Sequence, residues 1–316
     1  LSENFFSVSS AIQPERVKFY AVIVLYRREL QQSQTWRTLV PLVEKLAGSP
    51  VFSLLICENE PPEAADVELP KWAERLSRAD NGGLAWAYNA GLQRAIATGA
   101  QWLLTLDQDT HLPTDFLEKM TSNVSALSKR QEIAAIVPQL ISVTGEVYSP
   151  FFAKLGRERA VSRGFTGIGR GDLRAFNSAA LLRVSWLEKI GGYPSLFWLD
   201  FLDHATFRSL REAGGEIWID GQLQLEHHLS LKEERHSMNE PRIAKFLQAE
   251  SGVVDLYGSF LDRWLYTARL PLRLGNQWRR GDNQFFLKQT KLLLLQRLTT
   301  RRRQRLAAWM ESERPR

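Results

Sequence analysis

The chain has 316 residues, 44% of them hydrophobic and 24% charged; these are ordinary globular values, and they exclude wholesale disorder, collagen and coiled coil. Its single cysteine, Cys57, excludes a disulfide scaffold and a Cys-rich zinc site. The formal net charge of +6 is uneven: Leu261 to Arg316 holds 14 Lys/Arg against 4 Asp/Glu, so this tail carries +10 and the rest sums to −4. No apolar run reaches the roughly 18 residues of a spanning helix. The opening LSENFFSVSS has no basic stretch leading into an apolar one, so it does not read as a signal peptide. The expectation is a soluble or membrane-surface protein in a reducing compartment.

In chain order, residues 1–17 read as a loose arm. Lys18 to Tyr26, KFYAVIVLY, is apolar throughout and β-branched, which predicts a strand inside a parallel sheet. Helical spacing follows over 32–47, and Val51 to Cys57 is a second buried strand. Residues 61–70, rich in Pro, Glu and Asp, predict an exposed loop. Leu84 to Thr98 is a helix entered through Asn81-Gly82-Gly83 and left through Gly99. Gln101 to Leu106 is a strand that ends on Asp107. A helix from about Thr114 has Pro113 at its entry, and Ile133 to Leu140 is a fourth strand. This rhythm means βαβ units and a largely parallel sheet. Residues 142–173 break the pattern and predict a long loop with a short strand pair. After Arg174 to Leu182 come helices near Val184 to Ile190 and Asp200 to Ala213. Two short strands, Glu216 to Ile219 and Gln222 to His227, precede a helical remainder.

In open α/β sheets ligands bind beyond the carboxyl ends of the strands. Asp107 and Asp109 leave such an end two residues apart, with Gln108 between them. So placed, two carboxylates can share one hard divalent cation, and Mg²⁺ commonly adds substrate phosphates to one or two carboxylates. A polar loop that caps the next helix is the plainer alternative.

The stretch NGGLAWAYNAGLQRAIATGAQWLLTLDQDTHLP, residues 81–113, resembles family-2 glycosyltransferases of the GT-A fold, and within them the bacterial rhamnosyltransferase type. Asn-x-Gly, Ala-x-Asn-x-Gly and Leu-Asp-Gln-Asp occur together, and the similarity runs from about Phe19 to Ser230. The resemblance implies an α/β, Rossmann-like catalytic domain over 18–235 with a mostly parallel central sheet and flanking helices. Its nucleotide-sugar half would be about 18–112 and its acceptor half about 113–235, with a basic, amphipathic helical appendage over 236–316.

Site roles follow from the same resemblance. Leu25-Tyr26 would open the nucleotide pocket, and Glu58-Asn59 would contact the base, with Glu in place of the family's Asp. Asn81, Asn89 and Gly91 would border the nucleotide. Asp107 would face the ribose and metal, with Gln108 beside it, and Asp109 would ligate Mg²⁺ or Mn²⁺. His227 or His228, with the register favouring His227, would stand on the metal side. Inverting sugar transfer needs a carboxylate to take the acceptor proton. In SLFWLDFLDHATFRSL, Asp203 matches the family base and Asp200 would support the acceptor. Ala205 stands where the family has Glu. Helix N-terminal acids favoured by the macrodipole are the plainer reading of these two aspartates. Asn177 and Ser178 fall on an acceptor-side loop, and Trp198 is either a sugar platform or core.

The implied activity is metal-dependent inverting transfer of rhamnose or a related hexose. The donor would be a dTDP- or UDP-linked sugar, and the acceptor a saccharide or lipid-linked glycan of a cell-surface polysaccharide. In the tail, aromatic and leucine residues alternate with arginines, which fits either a helix lying in an anionic bilayer interface or an appendage packed on the domain. The expected location is the cytoplasmic face of the inner membrane. No nucleic-acid module is evident. Two rivals remain. A haloacid-dehalogenase phosphatase is disfavoured by His111 and by the two βα units ahead of the motif. A degenerate, non-catalytic transferase fold at the membrane surface has Ala205 as its best support.

Overall fold

The computed structural model describes residues 18–46, 51–62, 68–154, 157–226, 238–281 and 283–313. The run KFYAVIVLY forms β1 (Lys18–Tyr26), which is buried at every position except its two ends. It pairs in parallel with β2 (Val51–Asn59) on one side and β4 (Trp102–Asp107) on the other. Buried on both faces, these strands need apolar side chains at odd and even positions alike, which is why they read as continuous runs rather than alternating ones. β3 (Ala73–Arg78) adds in parallel to β2. Its sequence AERLSR is mostly polar and none of its residues is buried, so it carries no buried-strand signal and was not expected.

Beyond β4 the sheet continues through β11 (Ala180–Arg183), β5 (Ile133–Ile141), β12 (Glu216–Glu226) and β9 (Gly167–Ile168). β11 runs antiparallel to both β4 and β5, and β12 is parallel to β5. With β6 (Val147–Ser149) paired to β5, the sheet has nine strands, the larger ones mostly parallel. Helices α1 (Gln34–Lys45), α2 (Gly83–Thr98), α3 (Phe116–Ala126), α4 (Val184–Lys189) and α5 (Leu202–Glu212) flank it. Two apolar clusters cover its faces. One holds Tyr20, Val22, Tyr88 and Leu103 against α2 and α5, and the other holds Ala21, Ile23, Leu39 and Phe116 against α1 and α3. The α/β class, the mostly parallel central sheet and the C-terminal helices are as expected.

Two expectations are corrected. Residues 142–173 are not a long loop with one strand pair. Besides β6 and β9, they contain β7 (Phe151–Lys154), β8 (Arg157–Ala160) and the start of β10 (Leu173–Arg174), which build a separate three-stranded sheet. Strands of two to four residues are too short for their side-chain period to show. The expected pair of strands over 216–227 is a single strand, β12, whose register against β5 shifts between Asp220 and Gln224. Gly221-Gln222 therefore marks a bulge rather than a break.

The C-terminal region is four helices: α6 (Glu240–Tyr257), α7 (Phe260–Arg280), α8 (Gln284–Thr299) and α9 (Arg302–Ser312). A small cluster of Ile243, Leu247, Leu270, Phe286 and Leu293 joins the first three, while Trp309 of α9 is buried in the main core.

Candidate active site

β4 delivers Asp107 to the carboxyl edge of the sheet. Tyr88 from α2 donates to its Oδ1 at 3.3 Å, and Ser178 Oγ donates to its Oδ2. Tyr88 is fully buried, and burial together with Asp107 and Asp203 holds its phenol well above the usual range, so it stays a neutral donor. Thr105, the one polar residue of the run WLLTL, donates to the Asn177 carbonyl at 2.6 Å and to that of Ala180 at 3.2 Å. It thereby fixes the loop 177–180 against β4, and with it Ser178.

Asp203 enters from the first turn of α5. Burial, then the Asp107 and Asp200 carboxylates, push it up to about 7, against hydrogen bonds from its own backbone N–H and that of Asn177. An aspartate held there is matched to proton transfer at neutral pH. The side-chain amide of Asn177 is buried beside it, and neither its oxygen nor its nitrogen has a partner among the described residues. Such an orphan is costly unless a bound polar group satisfies it.

The segment before Asp203 is held tightly. Phe201, at the N-cap of α5, has φ +62°, a left-handed conformation that is strained for a bulky residue. Phe246 of α6 packs on its ring at 5.6 Å. Arg242 of α6 grips Asp200 with both terminal nitrogens, one of them at 2.7 Å. Lys245 lies over the Trp198 ring at 4.7 Å. The Trp198 carbonyl in turn accepts from the N–H groups of Leu84 and Ala85, at 2.6 and 3.2 Å, at the start of α2. Gly83 has φ +74°, and a Cβ there would lie 2.2 Å from that carbonyl oxygen, so only glycine allows this approach.

Most of the other expected residues hold the strand ends and α2 in place. Glu58 is buried and engaged by Ser77 at 2.5 Å and Arg75 at 3.4 Å. Asn59 Oδ1 accepts from Gly82 N–H, and Asn81 Oδ1 from Gly83 N–H, so both amides shape the loop into α2. Asn89 spends its amide on the backbone of Tyr193, with two bonds of 2.8 Å, and Gly91 lets α2 approach Val22. Leu25 is buried, whereas Tyr26 is exposed and its N–H donates to Gln108 Oε1 at 3.0 Å. Asp109 lies in the turn directly after β4. His227 and His228 lie outside the described residues. Ala205 is fully buried in the apolar core, so that departure from the family pattern falls where α5 packs.

No group of three His, Cys, Asp or Glu poised for a metal ion occurs among the described residues. The donor chemistry nevertheless suits a hard divalent cation that also takes phosphate oxygens: Asp107 and Asp109 offer carboxylates at one strand end.

Sequence reasoning missed Tyr88, Thr105, Arg242 and His204. A threonine in an otherwise apolar strand was a usable signal for Thr105. His204 sits among Phe151, Phe176 and Phe201, and burial drives it down to about 3, so it is neutral. Arg242 lies 42 residues from Asp200, and no local pattern links them.

Neither a family model nor a curated protein matches the chain. Solved structures do. TarS of S. aureus is 12% identical with a TM-score of 0.49, over 94% of this chain and 55% of that one, so the chain spans about half the length of TarS. The mannosyltransferase PcManGT from Pyrobaculum calidifontis, in complex with GDP-Man and Mn²⁺, is 13% identical with a TM-score of 0.47, over 94% and 85% of the two chains. At such values the likeness is one of chain path, and the function rests on the site's own residues.

Proposed function

We propose that the chain is a metal-dependent, inverting glycosyltransferase of the GT-A type. It would use a nucleoside-diphosphate sugar, dTDP- or UDP-linked, and deliver rhamnose or a related hexose to a saccharide or lipid-linked glycan. The observation that carries this reading is the placement of Asp203, lifted to about 7, beside Asp107 at the carboxyl end of β4.

In this reading Asp203 Oδ takes the proton of the acceptor hydroxyl as its oxygen bonds to the anomeric carbon. The bond from that carbon to the diphosphate oxygen breaks on the opposite face, and the electron pair leaves with the nucleoside diphosphate. Asp107 and Asp109 would hold Mg²⁺ or Mn²⁺, whose chemistry is to neutralise the charge on the leaving diphosphate. Ser178 and Tyr88 fix the Asp107 carboxylate in one orientation. The Asn177 amide would meet a hydroxyl of the bound sugar or acceptor. Arg242 holds Asp200, which keeps the strained turn into α5 in place.

Asp203→Asn should remove turnover by about 10²-fold or more and leave nucleotide-sugar affinity nearly unchanged, as read by calorimetry beside a turnover assay. Loss of binding with turnover in proportion would contradict the base role. Asp109→Asn should weaken nucleotide binding only when the divalent cation is present.

A further inference from the structure

Helix α7 is turned inside out for a surface helix. Several of its polar side chains face the protein: Tyr266 and Arg273 each bind Glu250 at 2.7 Å, Thr267 accepts from Arg297 at 2.8 Å, and Gln277 is buried. Every exposed residue from Phe260 to Gly275 is apolar: Phe260, Leu261, Trp264, Ala268, Pro271, Leu272 and Gly275. Their spacing of three and four residues places them on one stripe. The stripe is wide open, with Phe260 78%, Trp264 59% and Leu272 68% exposed, and Trp278 extends it at 77%. From Phe260 to Trp278 it runs about 27 Å. A continuous apolar stripe of this length on a surface helix marks an interaction site.

The surrounding charge selects the occupant. Several tail cations are used internally: Arg297 and Arg305 bind Asp255, Arg273 binds Glu250, and Lys288 binds Glu240. Others are exposed: Arg279 and Arg280 at the end of the stripe, Lys291 beside the exposed Leu292 and Leu295 on α8, and Arg303 on α9. A second copy docking through the same face would bring two strongly basic regions together. An anionic bilayer would be attracted by the same charge and would receive Trp, Phe and Leu at headgroup depth. No described helix is long and apolar enough to cross a membrane.

We infer that the outward face of α7, flanked by Arg279 and Arg280, lies in the interface of an anionic lipid bilayer. There it would hold the active site against a membrane-borne acceptor. This adds a membrane surface to the proposed function, and only the acceptor clause rests on that reading.

The test is flotation of the full chain with phosphatidylcholine vesicles, with and without phosphatidylglycerol, alongside tryptophan emission. The chain should float with the anionic vesicles, not the neutral ones, and its emission should shift to the blue. Trp264→Glu with Leu272→Glu should cut binding by at least about tenfold. Arg279→Glu with Arg280→Glu should weaken it by a similar factor at low salt. All four positions are exposed, so the thermal midpoint should be unchanged. Absence of flotation, or flotation indifferent to the Trp264 and Leu272 changes, would overturn the inference. So would a dimer in sedimentation that Trp264→Glu dissolves, since the stripe would then join two copies. Vesicle binding needs no nucleotide, so its failure is separable from loss of donor binding or turnover.

Discussion

In the proposed mechanism Asp203 combines the chemistry and a cost in one carboxyl. Its ordinary value is 3.8 and the fold lifts it to about 7, chiefly through burial. As a base it would work only when ionised, so kcat/KM, which follows the free enzyme, should rise with pH through about 7 and level off above. The sign for stability is the reverse. Between the two values the folded state keeps a proton that the unfolded chain has lost, so stability falls as pH rises through this window. Asp203→Asn should therefore raise the thermal midpoint at pH 8 and raise it less at pH 5; an equal change at both would contradict the raised carboxyl. Legibility at this scale followed residue type. Asp107, Asp109 and Asp203 stand at strand and helix ends where the chain itself announces them. Tyr88 is one of two aromatics in α2, and only tertiary packing aims its hydroxyl at Asp107.

The turn that carries Asp203 is held by a helix some 40 residues further along the chain. Phe201 is strained, and α6 restrains the turn through Arg242, Lys245 and Phe246. Removing Arg242 would leave the Asp200 carboxylate, 10% exposed, without its cation. We expect Arg242→Met to cost about 2 kcal/mol of stability and to lower kcat about tenfold or more with nucleotide affinity retained. Arg242→Lys should recover part of both. Unchanged kcat in Arg242→Met would show that the grip on Asp200 does not reach Asp203. β1 was legible to its last residue, and β2, β4 and β5 to within two, because a strand buried on both faces needs an unbroken apolar run. β3 and the short strands of 147–174 were not, since edge pairing and two-residue bridges leave no period to read.

At the scale of the molecule, the C-terminal helices belong to the fold as well as to its surface. Trp309 of α9 packs on Phe197 at 5.3 Å, and Gly252 of α6 leaves room for its ring, where a Cβ would lie 2.6 Å away. Trp309→Ala should cost about 3 kcal/mol or more, lowering the midpoint by roughly 5–10 °C in a single transition. Two separated transitions would show that these helices melt independently of the sheet. The sequence announced the basic, aromatic character of the tail. It did not reveal that Arg297 and Arg305 turn inward to Asp255 while the apolar side of α7 turns out, because that inversion depends on what each helix meets.

The central claim is use of a nucleotide sugar at the edge of β4. It is tested most directly by thermal shift with dTDP, UDP, GDP and CDP, each with Mn²⁺, Mg²⁺ or a chelator. A ligand at a hundred times its dissociation constant stabilises by about 2.7 kcal/mol, roughly 5 °C or more for a domain of this size. Such a shift is expected with dTDP or UDP, dependent on the divalent cation and reduced in Asp109→Asn. No shift with any nucleotide, with or without metal, would contradict it.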